Sequence, residues 1–149
     1  MTLSVWSGWT THHSAVIPAG NLYATADETS RFFQMMLNGG LWQGQRLFEE
    51  ETIAQATRPV GRIGFDRTLL VPVRFTPGFI RGEKPFGLYG EKCHNAYGHL
   101  GFINIVCWAD PDRDIAVGLL NTGKSLSPDS LPALGKLLWA ISRYCPPLK

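Results

Sequence analysis

The sequence predicts an α+β fold in which an antiparallel β-sheet is covered by helices. Three observations predict it: a capped amphipathic helix near the start, an apolar β-hairpin from Leu100 to Leu120, and a second amphipathic helix from Ser130 to Tyr144. At 149 residues, 44% hydrophobic and 17% charged, the chain has the content of one packed unit and none of the bias of a disordered one.

Residues 1–15 look irregular, with Trp6, Trp9 and the pair His12-His13. Ile17 to Asn21 reads as a turn, followed by the short apolar segment Leu22-Tyr23-Ala24. Thr25-Ala-Asp-Glu28 then forms a capping box, in which Thr25 and Glu28 each satisfy a free backbone N–H. Phe32, Phe33, Met36 and Leu37 share one face of that helix, and Gly39-Gly40 stops it. Leu41 to Phe48 reads as a two-armed turn around Gly44. Glu49 to Thr57 is a short helix with an acidic N-terminal end, as the helix dipole favours, closed by Pro59.

Residues 60–96 are the least regular. Thr68 to Phe75 and Gly78 to Arg81 have strand composition, and Pro72 places the first of them at an edge or bulge. Leu100 to Trp108 and Ile115 to Leu120 form the hairpin, with Pro111 at the second position of its turn. Its near-continuous apolar character implies cover on both faces. Asp110, Asp112 and Asp114 read as a solvated turn, because a calcium loop would need a Gly and a distal Glu. The last helix has Pro132 in its first turn, a buried stripe of Leu131, Leu134, Leu138, Ile141 and Cys145, and Pro146-Pro147 at its end.

Charge excludes several partners. Fourteen Lys and Arg against twelve Asp and Glu give a net charge of +2 with no basic patch, so neither nucleic acid nor an anionic membrane is expected. No apolar run is long enough to span a bilayer, and the first residues lack a signal peptide's pattern. Cys93, Cys107 and Cys145 are odd in number without a Cys-x-x-Cys, which suggests free buried thiols and a cytoplasmic setting.

The common catalytic patterns are missing. No Ser precedes Lys84, Lys92, Lys124, Lys136 or Lys149 by three residues, no Ser is flanked as in Gly-x-Ser-x-Gly, and no Tyr-x-Asn occurs. His12-His13 and Cys93-His94 are adjacent pairs that diverge on a strand or loop, so no metal site and no cofactor is implied. Gly61-Arg-Ile-Gly64 lacks the Lys-Ser/Thr of a phosphate loop.

One constellation remains. Tyr97-Gly98-His99-Leu100-Gly101-Phe102 leads through Trp108-Ala-Asp-Pro-Asp-Arg113 to Leu119-Leu-Asn-Thr122. This run resembles the third-motif hairpin of serine β-lactamase-like hydrolases, closest to family VIII carboxylesterases and class C β-lactamases. Pro18 to Glu28, Met36 to Gly40 and Leu47 to Thr52 are similar to upstream segments of that family, in family order. The resemblance spans about residues 16–125. It implies part of the β-lactamase and penicillin-binding-protein-like transpeptidase fold.

It also implies roles. His99 falls where β-lactamases carry the Lys of Lys-Thr-Gly, and its imidazole can donate to substrate or to a catalytic tyrosine. Gly101 keeps the strand open to an acyl group, and the N–H of Phe102 is an oxyanion-hole donor. Tyr97 and Leu100 are the substrate-binding candidates. The family's Ser-x-x-Lys and Tyr-x-Asn lie upstream of the matched region, so residues 1–149 are expected to form the C-terminal portion of one domain, inactive alone. Met1 would be an internal start or a truncated frame. The parent reaction would be acyl transfer to serine, then hydrolysis, on a small ester, or less readily a β-lactam or peptide. The alternative is a non-catalytic binding or assembly module. An exposed sheet edge left by the absent part predicts a homo-oligomer, or pairing with a missing N-terminal portion.

Overall fold

The computed structural model describes residues 23–67, 69, 71–101, 105–121 and 130–148. The expectations for the first 22 residues, for the N–H of Phe102, for Thr122 and for the side chain of Leu131 lie outside them.

Helix α1 runs over Ala26–Leu37. Its start is the expected capping box: the Glu28 N–H donates to Thr25 Oγ1 at 3.1 Å, and the Thr25 N–H to Glu28 Oε2 at 2.8 Å. Its end is a Schellman motif, with the Gly40 N–H on the Met35 carbonyl at 2.9 Å and the Gly39 N–H on Met36 at 3.1 Å. Gly39 sits at φ +64°, which a side chain would strain. Strands β1 (Leu41–Trp42) and β2 (Gln45–Arg46) follow as a hairpin. Its two turn residues, Gln43 and Gly44, both have positive φ, matching the strand twist. Helix α2 occupies Glu50–Thr57.

The remaining strands are β3 (Val60–Asp66), β4 (Val71–Phe75), β5 (Ile80–Arg81), β6 (Phe86–Gly87), β7 (Gly90–Glu91), β8 (Tyr97–Gly101), β9 (Ile105–Asp110) and β10 (Ile115–Leu119), before helix α3 (Ser130–Tyr144). Six of them form an antiparallel sheet ordered β10-β9-β8-β5-β4-β3, and β6 and β7 pair apart from it.

Alternation along β9 builds two cores. Cys107 and Ala109 join Phe33, Met35 and Met36 of α1 and Tyr97 of β8 on one face. Val106 and Trp108 join Tyr89, Cys93, Ala96 and Leu138 of α3 on the other. Trp108 is 1% exposed and stacks on Tyr89 at 5.7 Å between ring centroids. Both faces of the hairpin are therefore covered, as its apolar run implied.

Four details depart from expectation. The apolar stretch Leu100 to Trp108 is divided between two antiparallel strands, since Gly101 pairs with Ile105 and Tyr97 with Ala109. The hairpin is thus the second half of a three-strand meander. β3 is a full strand where no element was expected; all but its last residue are exposed, so no buried face imposed a readable alternation. β4 lies between β3 and β5, with β3 at the edge. Pro72 is tolerated because β5 reaches only Arg74 and Phe75, leaving Pro72 with β3 alone as neighbour.

The turn after β9 is the fourth. Asp110 is fully buried, and its Oδ2 accepts from Arg113 Nη1 at 2.7 Å. Arg113, 5% exposed, also donates to the carbonyls of Cys145, Lys92, Glu91 and Ser142. All five guanidinium N–H groups are used, and the turn is riveted to β7 and the end of α3. Pro111 occupies the predicted position, with the Arg113 N–H on the Asp110 carbonyl at 3.1 Å.

Candidate functional site

β8 carries the candidate residues because its two edges differ. β9 pairs with it along its whole length, from Tyr97 to Gly101. β5 is two residues long and pairs only with Tyr97 and Gly98. Among the described residues, no strand pairs with His99, Leu100 and Gly101 on the β5 side.

His99 is exposed, and its Nδ1 lies 2.8 Å from the Leu100 carbonyl oxygen. A carbonyl can only accept, so Nδ1 carries a proton, and a ring with that proton alone presents Nε2 as an acceptor. Donation from Nε2, the role implied by the resemblance, requires the imidazolium. Leu100 alternates to the opposite face and packs against the α3 core. Tyr97 is 4% exposed, its ring 5.6 Å from Phe79, and burial pushes its phenol up to about 12 against the pull of Arg81. It sits in the core with Phe33, Met35 and Met36 of α1. A Cβ built on Gly101 meets Ile105 Cβ at 3.4 Å, an ordinary contact, so packing permits a side chain there. At Gly98, by contrast, a Cβ would run into the Cys107 carbonyl oxygen and Trp108. Gly98 lets β8 and β9 approach, a demand that only the pairing reveals.

Arg81 anchors the strand beside this site. It donates to the carbonyls of His94 (2.9 Å) and Thr57 (3.2 Å) and to Asn95 Oδ1 (2.7 Å), tying α2 and β5 to the segment before β8. Burial lowers its pKa, which the charge of Asp112 partly offsets. Asn95 in turn donates to both oxygens of Asp112, and His94 Nδ1 stands 3.6 Å from Asp112 Oδ2. These partners are more than a dozen residues apart in sequence, and no local motif signals them. The Tyr89 hydroxyl donates to the Ile80 carbonyl at 3.0 Å and fixes β5 from the α3 side. Burial pushes the Cys93 thiol up to about 12, and it lies within hydrogen-bond reach of the backbone carbonyls of Tyr89 and Glu91 and beside Asp110, so it is a structural thiol. Among the described residues, no three His, Cys, Asp or Glu side chains converge as metal ligands. No described helix is long and apolar enough to cross a membrane.

Comparison with known proteins places this geometry. The beta-lactamase family profile matches residues 2–135. The esterase/beta-lactamase LipL of Mycobacterium tuberculosis is 32% identical over 114 residues, covering 76% of this chain and 25% of that protein. A penicillin-binding protein homolog from Caulobacter crescentus superposes with a TM-score of 0.63 at 29% identity, over 80% of this chain and 32% of its own. A family VIII carboxylesterase shares the fold with a TM-score of 0.57 at 22% identity, over 79% and 31% of the two chains. The chain spans about a quarter of the length of the mycobacterial relative and about a third of each solved structure. With the six-stranded antiparallel sheet between α1 and α3 and a profile match over most of its residues, the chain belongs to the beta-lactamase family.

Proposed function

We propose that this chain supplies one wall of an acyl-transfer site in a serine hydrolase acting on small esters, with β-lactams as the second substrate class. The observation that carries the reading is the open edge of β8 at His99–Gly101, beside an exposed imidazole, in a member of this family. A strand edge without a neighbour offers backbone N–H groups to an incoming carbonyl oxygen. In this reading the Phe102 N–H is one oxyanion donor, and the nucleophile's own N–H is the other. His99 Nε2 accepts a proton or hydrogen bond at the mouth of the site, while Tyr97 and Gly98 hold the strand in place from within. The chain alone is inactive, because Ser-x-x-Lys and Tyr-x-Asn are absent from its 149 residues.

The test replaces the matched 114-residue segment of the mycobacterial relative with this chain and follows p-nitrophenyl butyrate hydrolysis. Phe102→Pro, which deletes the N–H, is expected to lower kcat by about 100- to 1000-fold, while Phe102→Ala keeps most of it. His99→Ala should lower the rate. A folded, active chimera indifferent to Phe102→Pro would refute the reading. So would hydrolysis by the chain alone that a serine-directed reagent abolishes.

A further inference from the structure

β5 begins at Ile80 for a reason that shapes the site. The Phe79 N–H donates to Thr76 Oγ1 at 2.8 Å, and the Phe79 carbonyl accepts the Thr76 N–H at 2.7 Å. A tight turn thus takes both backbone polar groups of Phe79 away from β8 and leaves the β8 edge open at His99. The Gly78 N–H, on the Ala56 carbonyl at 3.1 Å, ties the same turn to α2. Because Ile80 pairs with Gly98, Phe79 stands level with His99, one strand spacing away. Tyr97 and His99 point to one face of β8, and the Phe79 ring packs on Tyr97, so Phe79 and His99 share that face.

Phe79 is also one wall of a pocket of about 170 Å³. Phe32 and Met36 of α1, Ile53 and Ala56 of α2, and Phe48 just before α2 form most of the rest. Among the described lining residues only Thr52 has a polar side chain. Phe32 and Phe48 are 43% and 45% exposed, which puts two rings at the mouth, whereas Met36 is 6% exposed at the bottom. The buried Thr76 clamps Phe79 and α1 is packed on the sheet, so the walls are in place before a ligand arrives. An apolar cavity of about 150 Å³ holds one benzene ring, so this one has room for a hydrocarbon group of about six carbons. It is too small for the successive anchors of a docked helix.

We propose that this pocket receives the hydrocarbon chain of the ester's acyl group while the ester carbonyl lies at the open edge of β8, a specificity that rests on the acyl-transfer reading of that edge. The acyl groups it selects are short, aliphatic or aromatic, and reach about six carbons. Phe79 links the two parts, since it lines the pocket and stands beside His99.

The test titrates methyl butyrate, pentanoate, hexanoate and octanoate into the 149-residue chain labelled with carbon-13 at its methionine methyl groups. Affinity read at Met36 should rise about fourfold per methylene as far as hexanoate and level off at octanoate. Met35, which does not line the pocket, should respond less. Nuclear Overhauser contacts should run from the end of the acyl chain to Met36, and from the ester O-methyl group to the His99 ring. Ala56→Phe fills the pocket and should weaken hexanoate binding at least tenfold. Ala56→Leu, which asks less of the fold, should move the best chain length below six carbons. No binding, or an affinity indifferent to chain length, would overturn the proposal and leave the groove as a seat for protein. Contact with Met36 without contact to His99, or binding unchanged in both Ala56 variants, would overturn it as well. None of these measurements needs turnover, so they are independent of Phe102→Pro, on which the acyl-transfer reading itself stands or falls.

Discussion

Replacing Arg113 with methionine is the sharpest test of what holds the two ends of this fold together. Its side chain is 2% exposed and that of Asp110 is 0% exposed, and they meet at 2.7 Å. Methionine keeps most of the volume and removes five hydrogen bonds. What remains for Asp110 is a buried carboxylate whose side chain keeps the Asp112 N–H at 3.1 Å. Four carbonyls, from Glu91, Lys92, Ser142 and Cys145, lose the guanidinium as well. Breaking a buried pair from one side costs about 3–5 kcal/mol, because the orphaned charge stays desolvated. With a urea slope of about 2 kcal/mol/M, the midpoint should fall by about 2 M. Fluorescence of the buried Trp108 reports the transition. Adding Asp110→Leu should return part of the loss, since the orphaned charge goes with it, while the four carbonyls stay unpaired. A midpoint shift under about 0.5 M for Arg113→Met, or a double variant as unstable as the sum of the singles, would show that this buried pair does not hold the two ends together.

Two further outcomes follow from the geometry. Gly98→Ala pushes a methyl group into the Cys107 carbonyl and Trp108, and should cost about 3 kcal/mol in urea unfolding, whereas Gly101→Ala should cost less than about 1 kcal/mol. Glu28 is held below the usual carboxylate range by its hydrogen bonds from the Thr25 backbone and side chain. Its contribution is therefore full above the unfolded value of about 4.3 and is lost as pH falls through the lower folded one; the stability gap between wild type and Glu28→Gln should close on acidification, and a gap constant with pH would count against the capping role.

The elements visible from the sequence are those whose cause is local. α1 was bounded by Thr25-x-x-Glu28 and Gly39-Gly40, and both motifs close hydrogen bonds within a few residues. The turn around Gly44, the Pro111 turn and the span of α3 have equally short-range causes. The candidate residues of β8 were also legible, as one contiguous run whose pattern resembles a known family. Their surroundings were not. Whether Tyr97 is a contact for substrate or a core side chain depends on Phe79 packing over it, and Phe79 lies eighteen residues upstream.

The class of fold, both long helices and the run Tyr97–Phe102 that holds His99 were written in the sequence, although the strand expected from Leu100 to Trp108 is divided in two by the fold. Which strand became an edge, which glycine was sterically required and which aspartate was buried were settled by tertiary contacts. Those outcomes turn on pairings between distant segments. β3 is an edge because no described strand pairs beyond it, Gly98 is required because β9 presses against it, and Asp110 is buried because Arg113 reaches β7 and the end of α3. Hydrophobic periodicity records whether a residue has a buried face. It carries no record of which partner arrives to bury it.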